Sequence, residues 1–223
     1  MDGLWESIDQ YCERTGPELW SEPLNVITNL AFIIAGIWGI REARKRNAGL
    51  WAETLGWLVV LVGIGSGLFH TVANRLTMWG DVIPIAVFTL VYTLFNLRRY
   101  MRFGWPASIA VFVAYYVFAV GLTIAVPEWL KTATNGTTGY IAPFMGLFVF
   151  GLLALRYGSP AGWYNLAAVA IFVVSVAFRV MDPMVCDALP IGTHFLWHTL
   201  NGLMLGVLLA AAARYGHPMP GRR

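Results

Sequence analysis

Residues 50–72 read LWAETLGWLVVLVGIGSGLFHTV, an apolar run in which Glu53 is the one formal charge. A run of about 20 such residues covers the hydrocarbon core of a bilayer as one helix. Working outward, six more stretches of the same kind fall near 24–43, 79–98, 104–126, 138–156, 161–181 and 190–213. Hydrophobic residues make up 58% of the chain and charged ones only 12%, a balance that leaves soluble globular composition for a membrane one. The seven segments take up most of the 223 residues, and the short joining loops leave no room for a separate soluble domain. The sequence therefore predicts an all-α, polytopic bundle of seven transmembrane helices. It forms a single integral domain over 1–223, with 1–23 as an N-terminal segment and 214–223 as a tail.

The basic residues predict the orientation. The loops after the first, third and fifth segments, with the tail, hold eleven: Arg41, Arg44, Lys45, Arg46, Arg98, Arg99, Arg102, Arg156, Arg214, Arg222 and Arg223. The opposite side holds four, Arg14, Arg75, Lys131 and Arg179. Because basic loops stay in the cytoplasm, the tail is expected inside and the N-terminus outside, in a periplasm or lumen. The net charge of +3 follows from this asymmetry and calls for no nucleic-acid partner. The first 23 residues are acidic and aromatic rather than basic and then apolar, so no cleavable signal peptide is expected.

Within these apolar segments stands Ser66-x3-His70-x10-Asp81, followed much later by His194-x3-His198. Ionisable groups are costly in lipid and usually mark function there. In the predicted topology all five residues lie toward the outer side. Residues four apart share one helix face, so Ser66 with His70, and His194 with His198, can each point inward together. A single membrane histidine often does no more than bond a neighbouring helix, but three at one depth with a carboxylate suit zinc. Three neutral imidazoles leave the ion its charge and an open position at which water can be activated. Asp81 then suits a general base, and Ser66 a hydroxyl donor toward a developing oxyanion. Asp81 as a fourth ligand would instead close the site and make it structural. Gly63, Gly65 and Gly67 around Ser66 read as helix packing. A serine nucleophile would need a base set by an independent element, which His70 on the same helix is not.

These five residues resemble the signature of the alkaline ceramidase family, part of a wider group of seven-helix hydrolases that includes the adiponectin receptors. The stretch Asp9-Gln10-Tyr11-Cys12-Glu13-Arg14, then Trp20-Ser21-Glu22-Pro23-Leu24-Asn25 and Thr28-Asn29, is similar to that family's approach to its first helix. The resemblance implies hydrolysis of the amide bond of a ceramide-like N-acyl lipid to a fatty acid and a long-chain base. It implies His70, His194 and His198 as zinc ligands, with Asp81 and Ser66 completing the catalytic centre. It also implies a calcium site before the first helix, for which Asp9, Glu13 and Glu22 are the candidates, since hard cations favour clustered oxygens. Here the sequence departs from the pattern: the Asp-to-Glu spacing is one residue longer, and Thr15 stands where an Asn is expected. An acidic, solvated cap is the other reading of that segment. The charge-derived topology places Cys12 and Cys186 on the same outer face, and the resemblance supports a disulfide between them, against two free thiols. The alternative function is a seven-helix receptor or sensor of the adiponectin-receptor kind with structural zinc. The predicted outside N-terminus speaks against it.

Arg179 and Asp182, three apart, are expected to pair or to cap the rim of the site. Trp20, Trp51, Trp79, Trp105, Trp129 and Trp163 fall near predicted helix ends, as interfacial anchors do. Asn135-Gly136-Thr137 matches a glycosylation sequon and is given no role.

Overall fold

A computed structural model describes residues 2–217; Arg222 and Arg223 of the basic count lie outside them. The described residues form helices and turns, with one isolated β-bridge, Ser7 to Asn74, and no strand. Seven helices are long and apolar enough to cross a membrane: α1 Pro23–Lys45, α2 Leu50–Val72, α3 Arg75–Tyr100, α4 Trp105–Ala125, α5 Thr137–Arg156, α6 Ala161–Val185 and α7 His194–Tyr215. A short helix, Glu128–Ala133, lies between α4 and α5.

Where the boundaries differ from expectation, polar chemistry overrules hydropathy. Helix α3 begins four residues early because Asn74 caps it: Thr77 N donates to Asn74 Oδ1 at 2.9 Å and Asn74 N to Thr77 Oγ1 at 3.2 Å. This reciprocal capping box starts a helix in a stretch too polar to register as apolar. Only Ala73 and Asn74 separate α2 from α3, so Ser66, His70 and Asp81 are held near one tight turn. Helix α6 runs on through Pro183 to Val185. Helix α7 starts later than expected, at His194, because Gly192 turns the chain in the left-handed region at φ 61°. A Cβ there would strike the Asp182 carboxylate and lie 2.8 Å from Cys12 Cβ.

Helix α7 is the central element, packed between α1 and α6 and touching α2. Its second half, from Leu205 through Ala213, is almost wholly buried. By contrast α4 buries only Ser108 and Ala119 and is apolar on every side, which suits a helix surrounded by lipid. Lipid tails are as apolar as the helices, so close van der Waals approach through small residues holds such bundles together. At Gly36 an added Cβ would lie 2.7 Å from the Gly56 carbonyl oxygen, so α1 and α2 touch backbone to backbone. At Gly65 it would collide with the Gly80 carbonyl oxygen. That second contact presses α2 onto α3 beside Ser66 and Asp81.

Gly65→Ala should lower the melting temperature in detergent, the crowding costing about 1–3 kcal/mol. Gly121→Ala, in open space on α4, should leave it unchanged or slightly raised, since Ala is the better helix former. Equal melting temperatures for the two variants would show that α2 and α3 do not meet there.

Candidate metal centre

His70, His194 and His198 are each 1% exposed, and one nitrogen from each lies within 4.8 Å of the others. Among the described residues this is the group of three or more ligand-type side chains close enough to share an ion. The i, i+4 spacing on α7 and the last turn of α2 bring the rings together, as the sequence pattern implied. Asp81 stands outside the group. It lines the cavity beneath with Ser66, His194 and His198, and the Ser66 hydroxyl lies beside its carboxyl.

Each ring is oriented by a second residue, which is the test of whether the three suit a cation. His70 Nδ1 lies 2.5 Å from Glu22 Oε2. A carboxylate only accepts, so Nδ1 carries a proton, and in the neutral ring the lone pair is left on Nε2. His198 Nδ1 lies 3.1 Å from Thr28 Oγ1, whose single proton goes to the Leu24 carbonyl at 2.8 Å. The hydroxyl therefore accepts from Nδ1, and Nε2 of His198 is free as well. His194 stacks on Tyr11 with ring centroids 3.6 Å apart, and its buried Nδ1 has no hydrogen-bond partner. Two rings bonded at their outer nitrogens and a third held by stacking form, as neutral imidazoles, a donor set that zinc fits.

The N-terminal segment builds this outer layer. It is tied down by the Cys12–Cys186 disulfide, Cα to Cα 5.0 Å, and by Ile8 N donating to the Ala73 carbonyl at 2.8 Å. Glu13 accepts from Leu24 N at 2.7 Å and Asn25 N at 2.8 Å, capping the start of α1 where the orphan N–H groups point. Burial lifts the Glu13 carboxyl above its ordinary range despite those two bonds. Glu22 also accepts from Asn25 Nδ2 at 3.0 Å and from Arg14 Nε at 2.5 Å. Burial pushes its pKa up, but His70, Asn25 and Arg14 outweigh it and hold the carboxyl below its usual range.

The structure gives the calcium expectation no support. Asp9 is exposed, and Asp9, Glu13 and Glu22 do not form a ligand group. The oxygens of Glu13 are taken by backbone N–H groups, and the cation beside Glu22 is the Arg14 guanidinium, which also donates to the carbonyls of Gly16 and His70, both at 3.0 Å. An arginine fork satisfies in place the buried charge that a metal would otherwise neutralise.

Arg179 and Asp182 do not pair either. Asp182 accepts from Cys12 N at 3.1 Å, Thr193 N at 2.6 Å and His194 N at 2.8 Å, fixing the start of α7 and with it His194. Arg179 instead donates to Tyr11 Oη at 2.7 Å and lies 5.3 to 5.6 Å from the ring centres of Trp197, Tyr11 and Tyr140, a cage of cation–π contacts. The contacts of Tyr11 and Thr28 with the histidines escaped the sequence reading, as did the hold of Asp182 on the start of α7. Asp182 left a signal, a carboxylate shortly before a helix that begins on a histidine. The Asn135 amide bonds Gln10 at the cavity wall, which accounts for the sequon asparagine without a glycan.

Below the histidines a cavity of about 250 Å³ opens between the helices. Phe32, Val62, Phe88, Leu147, Phe172 and Leu208 give it an apolar wall. Polar groups stand at its histidine end, at Asn201, and along the Tyr92–Asn165–Asn96 hydrogen-bond chain, 2.7 Å at each link.

The family model described as Ceramidase matches residues 6–217, the segment that holds every residue of the site. The chain belongs to the ceramidase family. No curated protein matches it. Ceramidase membership implies a hydrolase acting on amide bonds, here in a membrane bundle that suits a lipid substrate.

Glu22→Gln should weaken metal retention by about 10- to 100-fold, the usual effect of losing an outer partner of a ligating histidine. Glu18→Gln, exposed and away from the rings, should not. Zinc titration against a competing chelator measures both, and equal affinities would detach Glu22 from the metal centre.

Proposed function

We propose that the chain is a zinc-dependent lipid amidase that hydrolyses ceramide-like N-acyl lipids to a free fatty acid and a long-chain amine. The observation that carries the reading is three oriented imidazoles converging at the polar end of an apolar cavity, with Asp81 beside them. His70, His194 and His198 would hold the zinc. When bound there, the ion supplies a Lewis acid that makes water nucleophilic near neutral pH.

The remaining chemistry belongs to the chain. The apolar wall takes an acyl or alkyl chain and brings the amide to the histidine end. As water oxygen adds to the amide carbon, Asp81 takes its proton; as the C–N bond breaks, Asp81 passes the proton to the leaving nitrogen. Two features suit it to this work. Its Oδ1 is buried without a partner, and it stands apart from the ligand group, which favours a base over a fourth ligand and weighs against closed, structural zinc. Ser66, beside Asp81, donates toward the oxyanion.

In this proposal the reaction takes place on the outer side of the membrane. The eleven-to-four distribution of basic residues supports that orientation, and so does the disulfide on the same face, which persists in an oxidising compartment. At the opposite end Arg98 lies 4.5 Å from the centre of the Trp105 ring, a cation and aromatic pair suited to the cytoplasmic interface.

Asp81→Asn should keep its zinc and lose hydrolysis of an N-acyl lipid by about 10²–10⁴-fold. Metal analysis and a product assay on the same preparation read both quantities. Undiminished hydrolysis would remove Asp81 from the mechanism, and loss of the metal would make it a ligand.

A further inference from the structure

Asn201 lies on α7 three residues after His198 and seven after His194, so all three side chains leave the helix on one face. That face lines the cavity. Asn201 is 5% exposed, and neither its Oδ1 nor its Nδ2 has a hydrogen-bond partner. Among the described residues it is the one buried side chain with both amide atoms unpartnered. Asn165, equally buried in the same cavity wall, has both of its amide atoms bonded. An amide left without partners in an apolar wall destabilises the fold, and a leucine of similar size would avoid that cost. Its presence is explained by something that enters the cavity.

The position and chemistry of Asn201 narrow what that is. Helical rise sets it about 4.5 Å deeper along α7 than His198 and about 10 Å deeper than His194. A group meeting Asn201 is therefore a few bonds from one meeting the histidines. The amide offers donors and an acceptor and carries no charge, and a hydroxyl offers the same pair. The charges that line the same cavity belong to Asp81 and to Arg179, which is caged by Tyr11, Tyr140 and Trp197, so the neutral Asn201 amide suits a neutral partner.

We infer that Asn201 is a specificity residue that hydrogen-bonds a hydroxyl on the lipid chain lodged in the cavity, a few bonds from the scissile amide. The inference rests on the amidase reading for what meets the histidines. Selection by Asn201 of a hydroxylated chain over a plain one is independent of turnover. The hydroxyl has two possible sources, the acyl chain beside the carbonyl or the amine chain beside the nitrogen.

The test uses the purified full-length protein and two matched pairs of ligands: a 2-hydroxy fatty acid against the plain acid, and a long-chain amino alcohol against the plain alkylamine. Thermal stabilisation gives affinity, and competitive cleavage of the corresponding N-acyl amides gives the ratio of kcat/KM. Wild type should favour the hydroxylated member of one pair by about tenfold, the worth of one hydrogen bond, and the pair that shows it names the source. Asn201→Leu should abolish that preference and melt no lower than wild type without ligand. Asn201→Thr, which keeps a donor and an acceptor, should restore part of it. A wild type indifferent within both pairs overturns the inference without any variant. So does a preference that survives in Asn201→Leu, as would be found if Asn201 held only water. Discrimination between ligands with no cleavage of any N-acyl lipid would sink the amidase reading and leave Asn201 in its role.

Discussion

The Glu22 carboxylate, 1% exposed, accepts from His70, Arg14 and Asn25 at once, and one end of the bundle is organised around that cluster. A carboxylate stripped of water is tolerated only where charge and hydrogen bonds replace hydration. Here Arg14 supplies the charge, and His70 is the partner whose orientation matters for chemistry. Arg14 reaches Glu22 because residues 7–16 fold back over the helix ends, pinned at Cys12 by the disulfide and at Ile8 by the α2–α3 turn. The N-terminal segment is therefore part of the candidate metal centre although it contributes none of the three histidines.

Two carboxylates divide the positioning between them. Glu22 fixes the ring on α2, whereas Asp182 fixes the start of α7 and so the depth of His194. Both are linked to the segment around Cys12, Glu22 through Arg14 and Asp182 through the backbone N–H of Cys12 itself. Rings carried by α2 and α7 are thus referenced to one strap, which keeps their nitrogens convergent while the lipid-facing helix α4 stays loosely packed.

Much of this was legible in the sequence because a bilayer imposes a length. Seven apolar runs near 20 residues identify seven helices, and histidines inside such runs are conspicuous by their cost. The i, i+4 spacing of His194 and His198 further showed that they share a face. What stayed hidden depended on partners distant in sequence. Glu22 before Pro23 looks like any acidic residue near a helix start, and only the folded chain shows that it faces His70 and that Arg14 is the cation beside it. Arg179 and Asp182 look like an ion pair at i, i+3, yet the aromatic cage draws one away and the orphan N–H groups of α7 claim the other. The start of α3 was missed because a capping box of Asn74 and Thr77 is polar, and hydropathy reads polarity as loop.

The central claim is that three imidazoles, oriented from outside by Glu22, Thr28 and Tyr11, form a zinc site with a position left open for chemistry. Zinc X-ray absorption on the purified protein tests this most directly. The predicted result is one zinc per chain with three imidazole nitrogens near 2.0 Å and a further light-atom ligand. A sulfur or all-oxygen shell, or protein that takes up no zinc, would contradict it.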